Sequence, residues 1–422
     1  MPKNKRPAPR TSNNTREPDT DAQARQLADL ALEIAEREDA AAAGLGPIED
    51  QDPDAALTMA VRRAVRKGGR KGADAVLYEA IELARYTDPL ACRLLRARIE
   101  EEAATWRFRR GAGAVAGDGA DADKGPEFEI DAFLVPLFVR SQGGLVAQEM
   151  FQDADLFSEL AASFQAAGLD SKDAKVVLLQ HAFDLSEIDH VGYGALHEML
   201  REAAASLQEK KLQPAPTIAA SMRGWTGEPV APDETALELR FLLGFSLKRA
   251  DDPFYRVPQG EAASDAYFGQ RMARYRAWTE SAAPLLARCL ARAPERLELS
   301  FLYQDLFYGA KEQAVAELAT LGLLAETRRL LAAKDLAPDA VHAAVAPLDM
   351  GEHVVLRANL YALDGGQPWG SVEKPVDLAA DLAHEVDDMC DALLSLGLEG
   401  VSIAEGFSQD GHAEGAEPYR PA

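Results

Sequence analysis

Residues 303 to 312 gather a phenol (Tyr303), an amide (Gln304), two carboxylates (Asp305, Glu312) and an ammonium group (Lys311) around Gly309. The preceding "RLELSFLYQ" alternates apolar and polar residues as a strand does, and the residues after Gly309 take helical spacing. A helix that follows a strand presents free backbone N–H groups and a favourable potential for anions. Lys311 adds a point charge. The chemistry this implies is capture of a small phosphorylated or carboxylated metabolite by Tyr303, Gln304, Asp305, Gly309, Lys311 and Glu312. The junction resembles half of a phosphate loop but lacks the Gly-x-x-x-x-Gly-Lys-Ser/Thr spacing that makes such loops specific. The competing reading is structural: an Asp305–Lys311 ion pair, with a tyrosine hydroxyl tying down the turn.

Other reactive side chains are sparser. "VRRAVRKGGRKG" makes residues 62–71 strongly basic, with Trp106 and Phe108 set among Arg107, Arg109 and Arg110 further on. Residues 56–110 hold 13 basic against 7 acidic side chains, a local +6 (13 minus 7). A phosphate-binding stripe is one reading; a solvated helix face, or one that meets acidic surface, is the other. His384 and Asp388 lie one helical turn apart, but two side chains do not make a metal site. His181 falls on an apolar strand and His190 and His197 bracket a loop-to-helix junction. No Gly-x-Ser-x-Gly or His-Glu-x-x-His motif is present, so no metal or cofactor is expected and catalytic residues stay unassigned.

The elements that must position these groups follow from periodicity. Residues 1–20 are polar and proline-bearing, a disordered tail by composition. Residues 21–110 read as a helical region, with Asp88 and Pro89 opening one helix. "GAGAVAGDGADADKGP", residues 111–126, has almost nothing to bury and reads as a flexible linker. From 127 to 405 the pattern becomes mixed. "ALELRFLLGFSLKR" places Leu237, Leu239, Phe241, Leu243, Phe245 and Leu247 on one face and Glu238, Arg240, Ser246 and Lys248 on the other, predicting one buried and one wet face. "RLELSFLYQ" turns Leu297, Leu299, Phe301 and Tyr303 inward, and "VVLRANLYA" repeats the alternation. "IDAFLVPLFV" and "AKVVLLQHAF" are apolar throughout, although Pro136 pushes its strand toward an edge or a bulge. Amphipathic helices lie between, one burying Val315, Leu318, Leu321, Gly322 and Ala325. The expectation is an α+β protein: a helical N-terminal region, then a mainly antiparallel mixed sheet with amphipathic helices. Strand–helix–strand–helix runs over 127–211 and again over 235–331, as in a duplicated unit, followed by a β-rich unit at 339–405 and a tail at 406–422.

The net charge of −24 sets the prior for partners. An acidic surface repels phosphate backbones and anionic lipid, so nucleic acid binding through 62–71 would be a local exception. No run of about 20 apolar residues predicts a membrane span. The cysteines Cys92, Cys289 and Cys390 lie far apart and odd in number, which suits a reducing cytoplasm.

"LSFLYQDLFYGAKEQAVAELATLGLLAE", "VVLRANLYALDGGQPWG" and "LGLEGVSI" occur in an order that resembles a proteobacterial family of conserved hypothetical proteins without an assigned function. The likeness spans about residues 127–405. It implies a cytoplasmic bacterial protein and brings no activity, cofactor or site residue. The leading expectation is a non-catalytic protein that binds a protein partner or a small ligand. The alternative is an enzyme or sensor for a small anionic metabolite at the Tyr303–Lys311 junction.

Overall fold

The computed structural model describes residues 18–42, 53–67, 73–109, 126–142, 154–184, 188, 191–208, 235–290, 297–302, 307–350, 354–363, 365–376 and 380–421. The chain forms two compact units, residues 1–99 and 100–422.

The first unit is helical, as its periodicity requires. Helices α1 (Pro18–Ala42), α2 (Pro53–Lys67) and α3 (Ala73–Thr87) pack together, and α4 (Pro89–Ala103) runs on into the second unit. Leu27, Ala31, Leu57, Val61, Leu77, Ala80, Leu95 and Ile99 are its buried stripes. Pro53 and Pro89 sit at first helical positions, where a missing N–H costs nothing. Asp88 caps α4 by accepting from the Ala91 amide at 2.8 Å. The linker expected at 111–126 lies outside the described residues except for Pro126.

The second unit is α+β. Its first sheet runs β1 (Thr105–Arg109), β2 (Glu127–Gln142), β4 (Thr235–Arg249) and β3 (Lys175–Asp184), and β5 (Leu297–Phe301) joins β1 on the same edge of β2. All these pairings are antiparallel. Strand β2 therefore parallels β3 with β4 between them, and β4 parallels β5 with β2 between them. Helix α5 (Ala154–Ala166) makes the first crossover and α7 (Glu261–Leu290) the second; α6 (Tyr193–Gln208) links the halves and α8 (Phe307–Ala333) follows β5. Two interlocked split β-α-β units, the ferredoxin-like arrangement, result.

Several local expectations change. Residues 105–109 form β1 rather than the end of a helix. Trp106 packs edge-on to His197 at 4.8 Å and Phe108 stacks on Phe128 at 6.0 Å, so both aromatics serve the sheet. Pro136 sits in the middle of β2, not at an edge strand. Its carbonyl accepts from the Leu302 amide at 3.0 Å on the β5 side. A residue's N and C=O point the same way in a strand, so the missing N–H faces the gap between β1 and β5 and spares the β4 ladder. The polar face of β4 is not wet: Arg240 is 3% exposed and Ser246 is buried. Helices α5 and α7 cover that face through Leu160, Phe164, Tyr275 and Trp278, against Phe133, Val135 and Leu242. The Phe133 ring occupies the space where a Cβ on Gly244 would stand. Along α8, Val315 and Leu318 are exposed while Ala310, Ala314, Leu323, Thr327 and Leu331 are buried. The inward face is set by Ala310 and Ala314 in the first half and by Leu323, Thr327 and Leu331 in the second, not by the expected Val315 and Leu318.

The second sheet runs β12 (Glu417–Pro418), β9 (Gly400–Ile403), β6 (Val341–Asp349), β7 (Val354–Ala362) and β8 (Gly370–Val376), with β6 and β9 its parallel pair. Helix α9 (Leu382–Ser395) and the second half of α8 cover one face through Val386, Met389, Cys390, Leu323 and Leu331. Residues 406–422, expected as a tail, carry the hairpin β10 (Gly406–Phe407) and β11 (Ala413–Glu414) and then β12. What holds them is tertiary. The Gly411 carbonyl accepts from Asn359 Nδ2 at 2.9 Å and from the Tyr361 hydroxyl at 2.7 Å, both on β7.

Candidate functional site

The densest convergence of polar groups lies at one end of the first sheet. Its members come from three strands and two loops. In the antiparallel register Arg107 faces Glu129, Glu129 faces Lys248 and Asp131 faces Ser246, so all five side chains share one sheet face. The loop after α5 supplies Asp170. Gly168, at φ 73°, ends α5 in the left-handed region that glycine enters freely. Gln165 then donates to the Ser171 and Ala174 carbonyls at 3.0 and 2.7 Å and fixes the loop. The loop after β4 supplies Tyr255, set in a short 3-10 turn that Asp252 caps through the Phe254 amide at 2.9 Å.

The Lys248 ammonium is the hub. It pairs with Asp131, lies 3.5 Å from Glu129 Oε1 and sits 3.8 Å from the centroid of the Tyr255 ring. The Tyr255 hydroxyl donates to Asp170 and accepts from the Ser171 amide at 3.0 Å; that amide also reaches Asp170 Oδ1 at 3.0 Å. Arg107 extends the network to Glu129 at 3.2 Å and Glu102 at 3.9 Å. Asp170 is only 4% exposed. Burial pushes its carboxyl above the ordinary value, against the pull of the Ser246 hydroxyl, Lys248 and the Ser171 amide. Burial, then the neighbouring Asp131, raises Glu129 despite Lys248 and Arg107. For Lys248 burial acts downward, but the charges of Asp131, Glu129 and Asp170 outweigh it and the ammonium is held above its usual range. The result is a cation fixed among three carboxylates and a phenol.

Of the residues expected to form a ligand site, Tyr303, Gln304 and Asp305 lie outside the described residues. Gly309 and Lys311 are half-buried in the opening turns of α8, and Glu312 beside them is exposed. None of these three belongs to the Lys248 cluster. Of the basic stripe, Arg62, Arg63, Arg66 and Lys67 lie on α2; residues 68–71 are outside the described residues. His384 lies 3.6 Å from Asp388 on an exposed face of α9. Among the described residues no three His, Cys, Asp or Glu side chains converge as a metal would need. The cluster itself escaped sequence reasoning, because Lys248 and Ser246 were assigned to a wet face. The available signal was Glu127-x-Glu129-x-Asp131, alternating carboxylates on one face at the head of a strand that is apolar on both faces from Ala132 to Val139.

The second sheet has a smaller polar set on the face away from α9. His342 Nε2 lies 3.1 Å from Ser402 Oγ, over Gly400, and burial lowers the imidazole's pKa. On the opposite face, under α9, Lys374 pairs with Glu385 at 2.8 Å. Burial, then Asp387 and Asp391, pushes the Cys390 thiol up to about 12, which keeps it unreactive. Among the described residues no helix is long and apolar enough to cross a membrane. No family model, curated protein or solved structure matches the chain.

Proposed function

We propose that the protein works by binding a protein partner in the reducing cytoplasm of a bacterium, without chemistry of its own. One observation carries this reading: the convergent polar groups of the Lys248 cluster are engaged with one another. Tyr255 and the Ser171 amide take up Asp170, and Asp131 and Glu129 take up Lys248. A cluster tied in this way clamps two loops to a sheet end and holds a surface in shape; a catalytic base or nucleophile needs a lone pair turned toward substrate. The buried thiols of Cys92 and Cys390 fit the same compartment.

The runner-up is an enzyme or sensor for a small anionic metabolite at the Tyr303–Lys311 junction, favoured by the half-buried Lys311 near the N-terminus of α8. Nucleic acid binding through residues 62–71 ranks third. Native mass spectrometry of the freshly purified full chain, with thermal shift against phosphorylated and carboxylated metabolites, separates the first two. The binding-protein reading expects no retained small molecule and no metabolite response. A retained anion, or a thermal shift that Lys311→Ala abolishes, would replace it with the runner-up.

A further inference from the structure

The first unit presents two outward stripes of opposite charge on neighbouring helices. On α1, Asp21, Arg25, Gln26, Asp29, Leu30 and Glu33 line a shallow concavity of about 660 Å³. Their spacing of three and four residues puts them on one face, opposite the buried Ala24, Leu27, Ala28, Ala31 and Ala35. The lining carries −2 (3 minus 1), and Glu33 also pairs with Arg37 one turn further along the same face at 2.6 Å, so Asp21 and Asp29 supply its unpaired negative charge beside Arg25. Helix α2 buries Leu57, Val61 and Val65 and turns Met59, Arg63 and Arg66 outward, with Met59 61% exposed. Four basic residues against Asp54 give α2 a charge of +3 (4 minus 1).

We propose that these stripes are the two halves of one homotypic interface: α1 of one copy docks on α2 of a second copy, and the reverse contact forms at the same time. The occupant is a second copy because the unit carries both the acidic concavity and the basic ridge that fits it. Two such contacts related by a twofold axis close on themselves and satisfy both stripes at once. Leu30 and Met59 supply apolar contact at the centre, and the charges set register and partner choice. The local attraction operates at contact, within the screening length of about 8 Å at physiological ionic strength, where the repulsion between two acidic chains is already damped. This inference rests on the binding reading above and specifies the partner.

Sedimentation velocity of the full chain at physiological ionic strength tests it. The wild type is expected to sediment as a dimer and to dissociate at about 1 M salt, where the screening length falls to about 3 Å. Arg63→Glu with Arg66→Glu, and separately Asp29→Lys with Glu33→Lys, are each expected to be monomeric with an unchanged circular dichroism spectrum. Mixed in equal amounts, the two variants should form a one-to-one heterodimer, since each stripe again meets its opposite. Where a charge reversal disturbs folding, the glutamine versions at the same positions replace it and should weaken the dimer. A wild type that is monomeric throughout, a dimer that survives both reversals, or a mixture that stays monomeric overturns the interface. A monomeric wild type removes self-association alone; binding of a different protein would fail only on the metabolite results described above.

Discussion

Asp170 is the residue whose protonation the fold most directly controls. Its carboxyl is buried and held above the ordinary 3.8. A carboxylate raised in the folded state contributes stability that is fully present below the unfolded value and is lost as pH rises through the folded one. Asp170→Asn should therefore gain on the wild type as pH rises from 3.8 through the raised folded value, as read by urea midpoints over an acid-to-neutral series. A constant difference would mean that Asp170 does not titrate differently in the two states. Lys248, raised above 10.5, behaves in the same sense at the alkaline end: its contribution holds below 10.5 and is lost as pH rises through the folded value. Packing gives a second test at this scale. Trp278 is 1% exposed, donates from Nε1 to Ser163 Oγ at 2.9 Å and meets the Phe164 and Phe301 rings at 5.2 and 5.8 Å. Trp278→Ala should cost about 3–5 kcal/mol. Phe301, read from sequence as core, is only half-buried against that cluster. Phe301→Ala should cost about 1–2 kcal/mol, in proportion to the apolar area it hides. Equal losses in chemical denaturation would show that the edge strand β5 is as well packed as the centre.

At the scale of elements, β4 and the C-terminal hairpin show opposite failures of pattern. The alternation of β4 was correct, yet its polar half lies under helices at the centre and in an ion cluster at the end. Alternation reports which residues share a face, not whether something covers that face. The hairpin β10–β11 has no periodicity to read, since two-residue strands are too short to carry one. Its place is set by Asn359 and Tyr361 donating to the Gly411 carbonyl. Deleting residues 406–422 should leave both donors without that acceptor, at about 1–3 kcal/mol each. The midpoint of chemical denaturation should fall accordingly; an unchanged midpoint would mean that water replaces Gly411 at no cost.

For the molecule as a whole, charge decides more than any single contact. A chain of net charge −24, with the basic α2 a local exception, is predicted to show no specific affinity for DNA or RNA at physiological salt. Binding seen at low salt should fall steeply as salt rises. Fluorescence anisotropy with duplex and single-stranded probes reads this directly. Tight, sequence-selective binding at physiological salt that is lost with alanine at Arg62, Arg63, Arg66 and Lys67 would reverse the ranking of functions.

The sequence by itself determined the α+β class, the helical first unit, strands β2, β3, β4, β5 and β7, and the alternation of strands with helices in the second unit. These are legible because burial imposes periods of 2 and 3.6 on each element separately. Only the tertiary structure decided that Glu129, Asp131, Lys248, Asp170 and Tyr255 meet, because a register and two loop conformations bring them together from positions up to 126 residues apart (255 minus 129). It also decided that Pro136 lies centrally, with its missing N–H turned to a gap, and that residues 406–418 close the second sheet. Each of these depends on what an element faces, and a neighbour across space leaves no periodic mark on the chain that meets it.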